Sequence, residues 1–439
     1  MHLFISLRSA VNYRVSIGVG LRMLLTTEKI SNPMQLFGLM FAFFLSLCLS
    51  DSKNQSIEPI CNISAPRSDL CQMTGDIRIH GNSSTIFIAS TQQDNFGGNY
   101  SWSWTIKPYA RKGDKTAMAK VRKFTVKVGK VSQEILNCTR NRNVPAIVFS
   151  TAGYMGNHFH DFTDVLIPLF LTSREFNGEV QFLITNKKSW WIRKYETVLK
   201  KLSRYEIIDI DKEEGVLCFP SMIVGLKTHK ELSIDPSKSP YSMKDFKRFL
   251  RSSYSLKRET AIKLRDGEGK KPRLLIISRR RTRSFMNKGE IASLARSLGY
   301  DVVVKEAYSN LSQFSELVNS CDVMMGVHGA GLTNMVFLPE NAVLIQVVPL
   351  GRMAWLAKTD FGEPAKDMNL RYLEYEIREG ESSLIHQYPL DHQVLRDPYS
   401  ISKKGWDAFR AIYMDKQDVK IDISRFRKTL LEALKLLHM

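Results

Sequence analysis

Cysteine is scarce, six residues in 439, and no two stand as a Cys-x-x-Cys pair, so a zinc site of that type is unsupported. The glycine-rich segments form neither a Gly-x-Gly-x-x-Gly fingerprint nor a Walker loop, because no Gly-Lys-[Ser/Thr] follows them. Zinc-finger, RNA-recognition and KH signatures are missing too, which leaves nucleic acid without a module to read it. Negative charge is short: 44 Asp and Glu stand against 63 Lys and Arg, a formal +19. Such a surplus attracts polyanions, whether nucleic acid, anionic membrane or nucleotide phosphate. With 44% hydrophobic residues, 25 Gly and 15 Pro, the chain is no disordered, collagen-like or coiled-coil protein. Its length suits two or three domains.

Charge is absent between Lys29 and Asp51, and residues 34–49 are mostly Leu, Phe, Met and Ala. That run just reaches the roughly 20 residues of a tilted membrane span. Upstream, Arg8, Arg14, Arg22 and Lys29 outweigh Glu28, so the N-terminus is expected in the cytosol and the bulk of the chain on the far side. We read residues 1–33 as a leader and 34–50 as an uncleaved signal anchor. The competing reading is a cleaved signal peptide, which the small residues of 46–50 favour and the long leader opposes. Asn54, Asn62, Asn82, Asn99, Asn137 and Asn310 each lie two residues before Ser or Thr without an intervening Pro, as glycosylated lumenal loops would. Asn310 reads equally as a helix N-cap. Beyond the anchor, Cys61, Cys71, Cys138, Cys218 and Cys321 allow at most two disulfides and one leftover thiol, with Cys61 and Cys71 near enough for a local staple.

Residues 51–100 read as a stem and the start of a first lobe, with strands near 77–80 and 85–88. Residues 107–130 hold nine Lys or Arg against Asp114 alone. They fit a half-buried strand with a basic outer face, or a surface that docks an anionic or carbohydrate acceptor. Strands at 146–150, 180–184 and 205–210, with a helix at 190–202, make 101–268 an α/β lobe. A second alternation fills 269–395. Its strands fall at 273–277, 301–304, 323–327 and 342–348, with helices at 287–298, 311–319 and 331–337. This pattern suggests a Rossmann-like lobe with a parallel sheet. Residues 396–439 carry the closing helices. No internal sequence repeat is visible.

Three segments carry chemistry. Met325-Gly326-Val327-His328-Gly329-Ala330-Gly331-Leu332-Thr333-Asn334 is an apolar strand running through a glycine loop into a helix, suited to a diphosphate at the helix start. The bland alternative is a tight turn with a buried His328. Ser278-Arg279-Arg280-Arg281-Thr282-Arg283 also follows a strand of that lobe, and guanidinium groups match phosphate oxygens. Thr151-Ala152-Gly153-Tyr154-Met155-Gly156-Asn157-His158-Phe159-His160-Asp161-Phe162-Thr163-Asp164 crowds two histidines and two aspartates into a strand-to-helix junction. His160 and Asp164 share one helical face and suit general-base work. An HxHD cluster also resembles metallohydrolase ligands, but no second cluster supports a dinuclear centre.

In this order, with Asn287 and Leu338-Pro339 beside them, these blocks resemble glycosyltransferase family 61, near its plant xylan arabinosyl- and xylosyltransferases. The resemblance implies a single-pass type II Golgi membrane enzyme with two facing Rossmann-like lobes of the GT-B kind. It further implies transfer from a UDP-sugar, with inversion, to a polysaccharide or glycoprotein acceptor. Arg279, Arg283, Asn287, His328, Gly329, Ala330, Gly331, Leu332, Thr333 and Asn334 would hold the UDP moiety. Gly153, Gly156, Asn157, His158 and Asp164 would line the facing loop, with Asp161, then His160, as the expected base. Arginines and helix amides would serve the leaving diphosphate in place of a divalent metal, there being no convincing Asp-x-Asp motif, and no cofactor is expected. The donor reads as arabinofuranose or xylose and the acceptor as a cell-wall glycan. Alternatives are an N-glycan or protein O-linked transferase using xylose or GlcNAc, and an anchored, non-catalytic carbohydrate-binding protein.

Overall fold

The computed structural model describes residues 60–90, 103–130, 137–267, 269–307 and 310–439. The expected leader and anchor, and the sequons at Asn54 and Asn99, lie outside these residues. Among the described residues no helix is long and apolar enough to cross a membrane.

Strands account for two sheets. The first is ten-stranded and built from β1 (Ile60–Asn62), β2 (Leu70–His80), β3 (Thr85–Ser90), β4 (Ser103–Ile106), β5 (Phe124–Lys130), β6 (Arg140–Asn141), β7 (Ala146–Ser150), β8 (Gln181–Thr185), β9 (Ile208–Asp209) and β10 (Val216–Val224). The order β4-β5-β3-β2-β10-β7-β8-β9 joins a mostly antiparallel flank to a parallel one, with β1 on β2 and β6 on β10. Every residue of β7 and β8 is buried, as expected of parallel strands covered on both faces. In β5, Phe124 and Val126 are buried while Lys127 is exposed, so this basic stretch does form a half-buried strand.

The second sheet is wholly parallel: β11 (Arg273–Ser278), β12 (Asp301–Glu306), β13 (Val323–Val327), β14 (Val343–Val348) and β15 (Arg371–Glu376), in the order β12-β11-β13-β14-β15. One face packs Ile276, Met325 and Ile345 against Phe426 and Leu430 of the closing helix, Ile423–His438. The other face, through Leu275 and Met324, belongs to an apolar layer shared with the first sheet's helices. There Phe162 meets Phe337 edge-on, with ring centroids 6.0 Å apart. The helix Ser189–Leu202 joins this layer because Trp191, Tyr195, Val198, Leu199 and Leu202 recur at helical spacing on its buried face. A capping box between Ser242 and Asp245 opens the helix Met243–Ser253 beside it.

Disulfides join Cys61 to Cys71 and Cys138 to Cys218, leaving Cys321 as a buried free thiol. Asn310 caps the helix Leu311–Asn319 by accepting from the Gln313 amide. Asn62, Asn82 and Asn137 are exposed.

Candidate active site

The chain leaves β11 for β12 on one side and reaches β13 on the other, so the loops after β11 and β13 part at the sheet's carboxyl edge. Ligands of open α/β sheets bind in such a crevice. Gly329 stands there at φ 143°, and a Cβ on it would fall 2.8 Å from Arg283 Nη1 and 2.9 Å from Arg279 Nη1. Glycine thus allows two guanidinium groups to close on the backbone. Arg283 is almost fully buried, donates from Nη1 to the His328 carbonyl at 2.8 Å, and has a buried Nε without a partner. Burial, reinforced by the charge of Arg279, lowers the Arg283 pKa to about 9. Burial likewise pulls Arg279 below its ordinary value. A bound anion would reverse both effects.

The cleft at this edge encloses about 970 Å³. Arg279, Ala330, Gly331 and Asn334 line it from the second sheet, and Asn157, His158 and Trp190 from the first. Leu332 and Thr333 point instead into the interior. Asn287 is placed elsewhere. Its amide donates to the Ile421 carbonyl and its carbonyl accepts from the Ile421 amide, at 2.9 and 3.0 Å, which fastens the approach to the closing helix. His328 is buried, and Gln346 Nε2 donates to its Nδ1 at 2.7 Å. Burial, then the charges of Arg283 and Arg279, drops His328 to about 3, so it is neutral.

Across the cleft, Asn157 caps a helical turn, His158–His160, that continues as a π-helical turn, Asp161–Leu166, and then as the α-helix Ile167–Ser173. Pro168 begins that last helix rather than breaking it, since a proline in the first turn costs no intrahelical bond. π-turns of this kind are frequent at functional sites. His158 donates from Nε2 to Asn334 Oδ1 at 3.2 Å, linking the two loops, and burial drops it to about 3. Gly153 and Gly156 shape the preceding loop: a Cβ on Gly153 would strike the Tyr109 ring at 2.4 Å.

Asp161 is buried and fully engaged. It accepts from the Gly156 amide (3.0 Å), Trp191 Nε1 (2.8 Å), the Tyr195 hydroxyl (2.7 Å) and Lys194 Nζ (3.3 Å). No lone pair is left over for an incoming hydroxyl. His160 Nδ1 lies 2.9 Å from Asp164 Oδ2, so the pair foreseen from its spacing is present. Asp164 also accepts from Tyr109 (2.9 Å) and Arg111 (2.8 Å).

Four members of the surrounding charge network were invisible to sequence reasoning: Arg67, Arg111, Glu231 and Asp360. Arg67 and Arg111 grip Glu231 at 2.6 and 2.8 Å; burial alone would raise its pKa, but their hydrogen bonds and charge win and hold it at about 2. Asp360 fares oppositely. No hydrogen bond to its carboxyl is found among the described residues, and its Oδ2 lies 4.0 Å from His328 Nε2. Burial, with the charge of Glu231 added, raises it to about 7. It sits in a second π-helical turn, Lys358–Gly362, whose Phe361 packs on both Phe159 and His328. No motif in Lys358-Thr359-Asp360-Phe361-Gly362 would have flagged it.

Among the described residues one group of ligand-type side chains is close enough to hold a metal, Asp76 with Cys138 and Cys218, and both thiols are spent in a disulfide. That donor set does not fit a metal centre.

The family profile described as Glycosyltransferase 61 matches residues 21–345. The alpha-1,3-arabinosyltransferase XAT3 of Oryza sativa subsp. japonica is 51% identical over 384 residues, covering 87% of this chain and 66% of that protein. The beta-1,2-xylosyltransferase XYXT1 of the same organism is 45% identical over 392 residues, 86% of this chain and 84% of that one. The xylan glycosyltransferase MUCI21 of Arabidopsis thaliana is 36% identical over 401 residues, 88% and 80% of the two chains. The chain therefore spans just under two thirds of the length of the arabinosyltransferase it matches.

Proposed function

The chain belongs to the glycosyltransferase 61 family, and we propose that it moves a pentose, arabinofuranose or xylose, from a UDP-sugar to a cell-wall xylan with inversion. One observation carries the reading: two unneutralised guanidinium groups and a glycine loop meet at the carboxyl edge of a parallel sheet, opposite a polar loop of the other sheet. The diphosphate rests against Arg279 and the amides of Ala330 and Gly331, with Arg283 behind them. These positive groups stabilise the leaving UDP, and we extend the proposal to a metal-independent reaction. In the wider reading the two sheets are the facing lobes of a GT-B enzyme, held in the Golgi lumen by the expected anchor.

Inversion by single displacement needs one base to take the acceptor hydroxyl's proton as its oxygen attacks the anomeric carbon. With Asp161 occupied by four donors, we assign the base to Asp360, whose carboxyl has no hydrogen-bond donor among the described residues and lies beside the donor loop. His160, oriented by Asp164, is the second choice. The names of the similar proteins support xylan as acceptor and both pentoses as donors.

Full-length protein in detergent is assayed for UDP release with UDP-arabinofuranose, UDP-xylose and UDP-GlcNAc, with xylan oligosaccharide and glycopeptide acceptors. Transfer from a UDP-pentose to xylan supports the reading. Silence with every donor, alongside intact UDP binding, would leave the non-catalytic carbohydrate-binding alternative.

A further inference from the structure

A second cleft, of about 530 Å³, opens at the carboxyl edge of the first sheet, where β7, β8 and β9 end. Four lysines stand around it: Lys120, Lys187, Lys188 and Lys212. Lys120, Lys188 and Lys212 are exposed, and only Lys212 has a carboxylate within ion-pair distance among the described residues, Asp209 at 4.0 Å. The other acidic group in the lining, Asp211, is already neutralised. Arg122 binds it at 2.6 Å, and Thr185 and the Asn186 amide donate to it at 2.7 and 2.5 Å. Lys188 precedes the helix Ser189–Leu202 in extended conformation, and its side chain makes no capping bond there.

Trp190 gives this cleft its direction. It is 46% exposed, and it lines both this cleft and the arginine-lined one. An indole face is a platform for the apolar C–H face of a sugar ring. A glycan chain presenting a hydroxyl at the donor cleft would therefore run across Trp190 into the lysines. Clefts lined by one sign of charge concentrate the opposite sign.

We infer that this cleft is an acceptor subsite for an acidic glycan, a neutral backbone carrying uronate carboxylates, read by Trp190 and the lysines. The inference rests on the proposal that the acceptor is a glycan. A neutral glycan segment and an acidic peptide are the rival occupants.

The test uses two ligands: a xylo-oligosaccharide bearing a uronic acid, and the same oligosaccharide with its carboxyl reduced to an alcohol. Binding to the full chain is measured by calorimetry at low and high salt, and transfer kinetics are measured in parallel. The expected preference for the acidic ligand is about tenfold at low salt, shrinking as salt screens the charges. The double variant Lys187→Ser, Lys188→Ser should abolish that preference through KM, leaving kcat and the neutral ligand's KM unchanged. Serine suits the N-cap position of Lys188, so the fold is kept. Trp190→Ala should weaken both ligands alike. Equal binding of the two oligosaccharides by the unaltered chain overturns the inference, as does a lysine variant that weakens both, or an acidic peptide that binds as tightly. Acidic preference in binding without any transfer would sink the proposed reaction and spare the subsite; transfer without preference would do the reverse.

Discussion

Asp161 is a buried carboxyl and Asp360 a half-buried one, and their partners set them further apart. Asp161 holds the Gly156 loop to Trp191 and Tyr195, so Asp161→Ala should unpair several buried donors at once. A loss of about 3–5 kcal/mol in urea denaturation is expected, with activity falling because the loop collapses. Asp360→Asn should behave in the opposite way. Its folded pKa of about 7 exceeds the ordinary 3.8, so its contribution to stability is lost as pH rises from 3.8 to about 7, and the amide variant should be more stable at pH 8 by on the order of 1–4 kcal/mol. Turnover should nonetheless drop by at least about 100-fold while UDP affinity persists, the signature of a lost base. In the unaltered protein kcat should rise with pH through about 7, as the carboxyl loses its proton. A flat profile with full activity in Asp360→Asn, and collapse in His160→Gln, would transfer the role to His160. Asp360 escaped sequence reasoning because its character comes from burial and from the charge of Glu231, more than a hundred residues away in sequence.

At the scale of elements, the parallel strands were legible because each is a short, continuous apolar run between glycine or charged punctuation. β7 and β13 fall where expected, residue for residue. β10 was not foreseen. Pro220 interrupts it, and the pairing with β2 slips between Phe219 and Ser221, so its pattern does not read as a regular strand. β15 was missed for a different reason: it is an edge strand with alternating charged residues, Arg371-Tyr372-Leu373-Glu374-Tyr375-Glu376. The glycine loop after β13 was legible, but how few of its side chains reach the cleft was not. Gly329→Ala tests the loop. The added methyl meets two guanidinium nitrogens below 3 Å at a left-handed φ, so UDP affinity should fall about tenfold or more by calorimetry, with stability lowered by about 1–3 kcal/mol through the strained backbone. Flexible arginine ends can give way, and the cost falls on the ligand they should hold.

Across the whole molecule, an α/β fold could be read from the sequence, whereas the apolar layer that its two sheets share could not, since it depends on Phe162, Phe246 and Phe337 meeting from distant segments. The neutral histidines at this junction make the fold acid-sensitive. His158 and His328 have folded pKa values near 3 against 6.5 when exposed, so the unfolded chain binds more protons between those limits. Stability is complete above pH 6.5 and drains as pH falls, at about 1.4 kcal/mol per unit for each histidine. Asp360 opposes one of them between pH 3.8 and 7. Denaturation from pH 6.5 to 5 should therefore show a net loss near 1.4 kcal/mol per unit from these three groups, doubled in Asp360→Asn. A final consequence lies in the crowded pair Arg279 and Arg283, each held below its ordinary pKa by burial. Their mutual repulsion ends when a diphosphate arrives, whether or not a sugar is attached. The spent nucleotide should then bind well enough to inhibit, so turnover should slow as UDP accumulates, and a phosphatase that destroys free UDP should hold the initial rate.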